Sequence, residues 1–284
     1  MSRVAYVSGR YRPQREAAVH IEDRGYQFGD GVYEVVAVTR GRLVDEERHL
    51  ARLHRSLTEL RINPPMSDAA LKVVMREVIH RNGVETGIVY LQVTRGVAPR
   101  DHAFPKAAKP VLVVTSRRSR PPDPRLGRDG IAVITIPDIR WQRCDIKSVA
   151  LVANVLGKQQ AREAGAYEAW QIDLEGQVTE GTSTNAWIVT ADDTVITRVA
   201  DHAILNGVTR AAILDIIQRE GYRLVERPFT VAEAKTAREA FLTSTTADLL
   251  PVVRIDGAPV SDGTPGPLSR KLREAYLLHA AAAA

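Results

Sequence analysis

Cys144 is the only cysteine in the 284 residues. A lone thiol excludes an internal disulfide framework and suits a reducing compartment. No run approaches the roughly 18 apolar residues that a membrane span requires. The first residues, M-S-R-V-A-Y-V-S-G-R-Y, lack the apolar core of a secretory signal, so a cytoplasmic location and no membrane partner are expected. No metal ligand set is expected either.

What the chain does contain is ordinary for a globular protein: 44% hydrophobic and 26% charged residues. Disordered and membrane classes are excluded on that balance. The length suggests two domains, each able to bury a core. A formal charge of +5 could suit nucleic acid, but the basic residues are mostly dispersed. The exception is S-R-R-S-R-P-P-D-P-R-L-G-R, from Ser116 to Arg128. With three prolines and no apolar periodicity it reads as a solvated linker, and no RNA-binding aromatic signature accompanies it. The expected division is therefore 1–117, a linker over 118–129, and 130–284, with no nucleic-acid partner.

Along the chain, Val4 to Ser8 and Ala18 to Ile21 read as short strands. Gly25, Gly29 and Gly31 imply a tight backbone path before a strand rich in valine that ends at Arg40-Gly41. Leu50, Leu53, Leu57 and Leu60 recur at helical spacing over 45–60, as do Leu71, Val74, Met75 and Val78 over 68–81. Strands follow at 88–94 and 110–115. The second half opens with a strand at 131–136, a helix at 151–165 and a strand at 167–173. Strands at 186–190 and 194–197 precede a helix starting at Val208-Thr209. A strand at 222–226, a short helix near 231–237, a strand at 240–243 and a last helix over 267–279 complete the pattern. Irregular mixing without βαβ alternation indicates the α+β class.

The chemistry concentrates between Arg140 and Asn185. That stretch opens with R-W-Q-R-C-D-I-K-S and closes with V-T-E-G-T-S-T-N. A lysine ending one extended segment and a glutamate beginning another are the two groups that an aldehyde cofactor with a basic ring nitrogen needs. Neither residue says so alone. Four further motifs stand in order: D-R-G-Y-Q-F-G-D-G-V-Y-E-V-V, V-T-R-G-x-x-P-R-x-H-x-F-P, L-x-G-V-T-R and T-S-T-T. Together the six resemble the fold-type IV aminotransferases that depend on pyridoxal 5'-phosphate, most nearly their D-amino acid aminotransferase subgroup. The resemblance runs from about Tyr6 to Tyr276.

That resemblance implies a two-domain architecture with the cofactor in the cleft between domains. It makes Lys147 the lysine that forms a Schiff base with the cofactor and moves a proton between substrate Cα and cofactor C4′. Glu180 would keep the pyridine nitrogen protonated through a charge-assisted hydrogen bond. Val208, Thr209, Arg52 and Thr245 would hold the phosphate, at a helix N-terminus suited to anions. Leu205 would pack on a ring face. Ser183 and Thr184 bond the cofactor or cap the turn. Tyr33, Arg100 and His102 resemble the trap for the substrate α-carboxylate, and the arginine can bind it with two parallel bonds. In the family this loop reaches the neighbouring subunit's site, which implies a homodimer with shared active sites. Lys158 reads as solvated and Cys144 as a small packing residue.

The reaction so implied is ping-pong transamination from a D-amino acid such as D-alanine to 2-oxoglutarate or pyruvate. Asp101, inside the R-x-H loop, adds a negative charge that tempers affinity for dicarboxylates such as D-glutamate. Within the same fold the alternatives are a branched-chain L-aminotransferase, an (R)-amine transaminase and an aminodeoxychorismate lyase. A different class, a basic polyanion-binding protein that keeps the fold without the chemistry, predicts a colourless protein with salt-sensitive retention on nucleic acid.

Overall fold

The computed structural model describes residues 3–119 and 123–283. They form two compact units, residues 3–119 with 146–150 and 280–283, and residues 123–145 with 151–279.

The first unit is built on one antiparallel sheet. In chain order its elements are β1 (Val4–Val7), β2 (Arg10–Pro13), α1 (Arg24–Phe28), β3 (Gly31–Thr39), β4 (Arg42–Leu43), α2 (Glu46–Glu59), α3 (Asp68–Asn82), β5 (Thr86–Thr94) and β6 (Val111–Arg118). The strand order is β2-β1-β6-β5-β3-β4. Alternation along β3 buries Val32, Glu34, Val36 and Val38 on one face and turns Tyr33 and Val35 to the other. Onto the buried face α2 and α3 lay Leu50, Leu53, Leu57, Leu71, Met75 and Val78, making one continuous core. Ser67 caps α3 by accepting from Ala70 N, and Gly83 ends it in the left-handed region at φ 56°.

The second unit carries a mixed nine-stranded sheet. Its elements are α4 (Pro124–Asp129), β7 (Ile131–Pro137), α5 (Val152–Glu163), β8 (Glu168–Ile172), β9 (Val178–Gly181), β10 (Asn185–Val189), β11 (Val195–Thr197), α6 (Val208–Arg219), β12 (Leu224–Glu226), α7 (Val231–Thr236), β13 (Glu239–Ser244), β14 (Asp248–Ile255), β15 (Ala258–Pro259) and, as far as His279, α8 (Pro267–Ala282). The sheet runs β12-β11-β10-β13-β14-β7-β8-β9, with β15 paired to β14. β7 pairs in parallel with both β14 and β8. Trp170, Ile188, Phe229, Leu242 and Leu250 form the core on one side of it.

Four expectations change. Ala18 to Ile21 is no strand; the partner of β1 is β2, followed by a 3-10 turn at Gln14–Glu16. The glycine-rich path before β3 contains the helical turn α1, which Asp23 caps and Gly29 ends at φ 69°. The expected linker over 118–129 is partly ordered, because β6 reaches Arg118 and α4 occupies Pro124–Asp129 with Asp123 as its cap; Arg120, Pro121 and Pro122 of that stretch lie outside the described residues. Lys147 does not end a strand. It sits ten residues beyond β7, on a segment that bridges back to the start of β3. Among the described residues no helix is long and apolar enough to cross a membrane.

Leu53 is 1% exposed at the centre of the first core. Leu53→Ala should lower unfolding free energy by about 3 kcal/mol through lost contacts and the cavity left behind. Denaturant unfolding followed by circular dichroism checks this; a change within about 0.5 kcal/mol, typical of surface positions, would contradict the packing described.

Candidate active site

In the first unit, residues 146–150 run antiparallel to the beginning of β3. Tyr33 N donates to Lys147 O at 3.0 Å, and Val149 N donates to Gly31 O at 3.1 Å. Ile146 is the anchor, buried in the core beneath β3 and α2. The Lys147 amide donates to Ser56 Oγ of α2 at 3.2 Å. These contacts leave Lys147 half-buried with its Nζ 4.2 Å from the centre of the Tyr33 ring. A phenol face attracts an ammonium and so restrains the lysine tip. The Tyr33 ring lies 5.7 Å from that of Tyr90, whose hydroxyl donates to Gln92 Oε1 at 2.6 Å. Burial, with Tyr33 alongside, pushes the Tyr90 phenol up to about 12, so it stays protonated.

The opposite face of β3 carries Glu34, which is 1% exposed. Arg52 of α2 binds it with a fork, Nε to Oε1 at 2.7 Å and Nη2 to Oε2 at 2.8 Å. His49 Nδ1 lies 2.8 Å from Oε2; an ionised carboxylate only accepts, so this nitrogen carries the proton. Burial pushes Glu34 up, but the charge and hydrogen bonds of Arg52, aided by His49, hold it at about 2. Burial also depresses His49, leaving its ring neutral near pH 7. The Glu34–Arg52–His49 group is one the sequence reading missed. The signal was present, since the alternation of β3 places Glu34 on the core face between Val32 and Val36, where a carboxylate requires partners.

Arg100 and His102 stand exposed on the loop between β5 and β6. The Arg100 guanidinium lies 4.6 Å from the centre of the Phe28 ring, and the His102 ring lies 5.4 Å from it. One aromatic side chain from the end of α1 therefore supports both. Asp101 Oδ1 accepts from Ala103 N at 3.1 Å and stabilises the turn between them.

In the second unit Glu180 lies within β9 and is 6% exposed. Arg140 Nη1 donates to Oε1, while Asn185 Nδ2 and Leu205 N each donate to Oε2 at 3.1 Å. Arg140 also forks onto Asp138, Nε to Oδ1 at 2.9 Å and Nη2 to Oδ2 at 2.7 Å. Burial raises the Glu180 carboxyl above its ordinary range, and Arg140 with the Leu205 amide offsets only part of that rise. Two carboxylates facing one guanidinium leave this bonded group with a net negative charge when both are ionised. A protonated ring nitrogen would complete it.

Asn185 extends the arrangement to the start of α6. Its Nδ2 also donates to Leu205 O at 2.9 Å. A Cβ on Gly207 would fall 2.2 Å from its Oδ1, so only glycine fits there. Gly207 is the N-cap of α6 and supplies no side-chain bond, although Val208 and Thr209 are buried. The first N–H groups of a helix have no intrahelical partner, and an uncapped start favours an anion such as phosphate. Thr209 Oγ1 shares a hydrogen bond of 3.3 Å with the Tyr276 hydroxyl. The structure thus brings Glu180, Leu205, Val208 and Thr209 into one cluster. Residues of this cluster fit a phosphorylated ring with a basic nitrogen.

The other sequence-selected residues occupy distinct positions. Ser183 Oγ donates to Glu168 Oε2 at 3.0 Å, and Thr182 Oγ1 donates to the same wholly buried carboxylate. Thr184 packs its hydroxyl against Gly181, whose Cβ would meet it at 2.1 Å. These three shape the turn after Glu180. Thr245 is half-buried just past β13. Lys158, expected to be solvated, bonds the Tyr167 carbonyl at 2.6 Å with its side chain 46% exposed. Cys144 is half-buried, donates to Trp141 O, and is pushed up to about 12 by burial, which leaves it inert as a nucleophile. Among the described residues no group of three or more His, Cys, Asp or Glu could hold a metal ion.

The family profile described as amino-transferase class IV matches residues 31–255. The D-alanine aminotransferase of Bacillus licheniformis is 42% identical over 268 residues, 94% of this chain and 94% of that one. The D-alanine aminotransferase of Staphylococcus haemolyticus is 41% identical over 272 residues, 95% of each. Among solved structures, the branched-chain amino acid aminotransferase of T.th. with pyridoxamine 5'-phosphate superimposes with a TM-score of 0.90 at 26% identity, covering 100% of this chain and 96% of that one.

Glu34 generates a pH prediction. Its folded value, about 2, lies below the ordinary 4.5, so its stabilisation is fully present above the unfolded value. It is lost as pH falls through the folded value. The loss is on the order of 3 kcal/mol. Glu34→Gln should lower stability at pH 7 and flatten the fall in melting temperature between about pH 5 and 2. Parallel acid limbs in the two proteins would contradict the assignment.

Proposed function

This chain belongs to the class IV aminotransferases, and within them we propose that it transfers the amino group of a D-amino acid, D-alanine among the donors, to a 2-oxo acid such as 2-oxoglutarate or pyruvate. Pyridoxal 5'-phosphate is the cofactor. When bound it supplies an aldehyde for the donor nitrogen and a ring into which the electrons of the broken Cα–H bond can spread.

The chain's own residues do the rest. Lys147, set on the segment that bridges to β3, is the amine that would hold the cofactor through its aldehyde and would move a proton at the donor Cα. Its contact with the Tyr33 ring holds that amine near one position. Glu180, with three donors around it, would accept the ring N–H and keep that nitrogen charged. The Val208 and Thr209 amides, Thr245 and Arg52 would hold the phosphate, and Leu205 would pack on the ring. Ser183 and Thr184 keep the Glu180 turn in shape. Tyr33, Arg100 and His102 receive the donor's α-carboxylate. We take the enzyme to be a cytoplasmic homodimer in which Arg100 and His102 complete the neighbouring subunit's site.

The observation that carries the D-amino acid reading is the R-x-H loop, with a guanidinium and an imidazole supported on one phenylalanine ring. Such a pair orients a carboxylate by charge and by directional donors. The identity of about 40% with relatives named D-alanine aminotransferase supports the same choice.

Two experiments test the function. Lys147→Ala should lose the visible absorption of the bound cofactor and slow turnover by roughly 10³-fold or more; undiminished turnover would refute the lysine's role. D-alanine, L-leucine, (R)-1-phenylethylamine and aminodeoxychorismate should then be assayed side by side. D-alanine is expected to be the preferred substrate, and also to surpass D-glutamate because of Asp101. A preference for L-leucine would move the enzyme to the branched-chain group.

A further inference from the structure

Beneath the carboxylate-recognising loop lies a buried ion group that none of the assigned roles uses. Asp30, at the entrance to β3, faces two guanidiniums. Arg24 Nε donates to Asp30 Oδ2 at 2.8 Å, and Arg95 forks onto the same carboxylate, Nε to Oδ2 at 2.8 Å and Nη2 to Oδ1 at 3.0 Å. The Arg24, Arg95 and Asp30 side chains are only 4%, 9% and 12% exposed. Such a group is costly to bury and is retained only where its hydrogen bonds are satisfied. Burial pushes the Asp30 carboxyl up, but the bonds from Arg95 and Arg24 hold it below its ordinary range.

The outward ends of the two arginines reach different places. Arg95 donates to Arg61 O at 3.0 Å and Leu60 O at 2.7 Å, at the end of α2, and lies 3.7 Å from the centre of the Phe104 ring. Arg24 reaches the loop backbone itself. Its Nη1 donates to Asp101 O at 2.5 Å and Ala103 O at 3.3 Å, and its Nη2 donates to His102 O at 3.4 Å. It also lies 4.8 Å from the centre of the Phe28 ring, on which Arg100 and His102 rest. Three consecutive carbonyls of an exposed loop are thus tied to one buried fork.

We propose that Arg24, braced by Asp30, is the positioning residue of the carboxylate-recognising loop: it fixes the backbone from Asp101 to Ala103 and so sets where the Arg100 and His102 side chains stand. The proposal rests on the carboxylate role given above to Arg100 and His102. Only a planar guanidinium can serve Asp30 through Nε and the carbonyls through both Nη atoms. A lysine keeps the charge but has one nitrogen to share. Asp30 further couples three elements that carry site residues: β3 with Tyr33, α2 with Arg52, and the loop. Displacing the loop weakens recognition of the donor carboxylate while Lys147 keeps its own contacts.

The test uses the cofactor-loaded enzyme with three variants, Arg24→Lys, Arg24→Gln and Arg100→Ala. Arg24→Lys and Arg24→Gln should raise KM for D-alanine about tenfold with kcat kept within about threefold, the pattern of lost positioning rather than lost chemistry. The visible absorption of the cofactor should not change, and trypsin should cut faster after Arg100 because the loop is released. Arg24→Lys retains the buried positive charge beside Asp30, so it decides the matter if Arg24→Gln does not fold. Unaltered KM and cleavage rate in the Arg24 variants, beside a raised KM in Arg100→Ala, would overturn the positioning role alone. An unaltered KM in Arg100→Ala would overturn the carboxylate reading and the positioning role together.

Discussion

A carboxylate with almost no access to water has to be met by donors, and Glu180 meets three of them. The cost of stripping water from a carboxylate is several kcal/mol, on the order of what a whole domain has to spare. Arg140, Asn185 and the Leu205 amide offset it. Arg140 is itself buried and needs Asp138, which in turn accepts from Thr179 Oγ1 at 2.7 Å. Asn185 needs a glycine at 207, and that glycine opens α6 without a side-chain cap. One buried acid therefore dictates the residues of β9, the turn after it, and the start of the helix that fits a phosphate. With Glu180 and Asp138 both ionised, its bonded group carries a net negative charge that a pyridinium would balance.

The first unit shows the opposite sign. Asp30 stands between two buried guanidiniums, so that bonded group is net positive, and it lies directly under the loop that presents Arg100 and His102. Glu34 and Arg52 cancel one another beside a neutral His49. In water such differences would be screened; with side chains this buried they are not. With its carboxylates ionised, the Glu180 group is opposite in sign to the Asp30 group, which suits the roles proposed for Glu180 and for Arg100 with His102.

The long elements were legible because they follow a period. Leu50, Leu53 and Leu57 mark α2, and the valines of β3 mark a strand with a single buried face. The five residues of α1 and six of α4 are too short to show any period, and each begins with an aspartate cap that could also be a turn residue. Lys147 and Glu180 stood out through the motifs around them. The bridge of residues 146–150 to β3 did not, since the two partners lie more than a hundred positions apart and no local signal links them. Arg140 and Asn185 sat inside motifs that were read, but their work depends on distances to Glu180 that sequence does not express. Arg24 was hidden for the same reason, its acceptors lying about 78 positions further on.

The most direct test is the protonation state of the cofactor ring nitrogen, read by ¹⁵N NMR of enzyme loaded with ring-labelled cofactor. The shift of a protonated pyridinium should persist across neutral pH in the unaltered enzyme and move to that of a bare pyridine nitrogen in Glu180→Gln. A bare nitrogen in the unaltered enzyme at pH 7, or the same protonated shift in both proteins, would contradict the place given to Glu180.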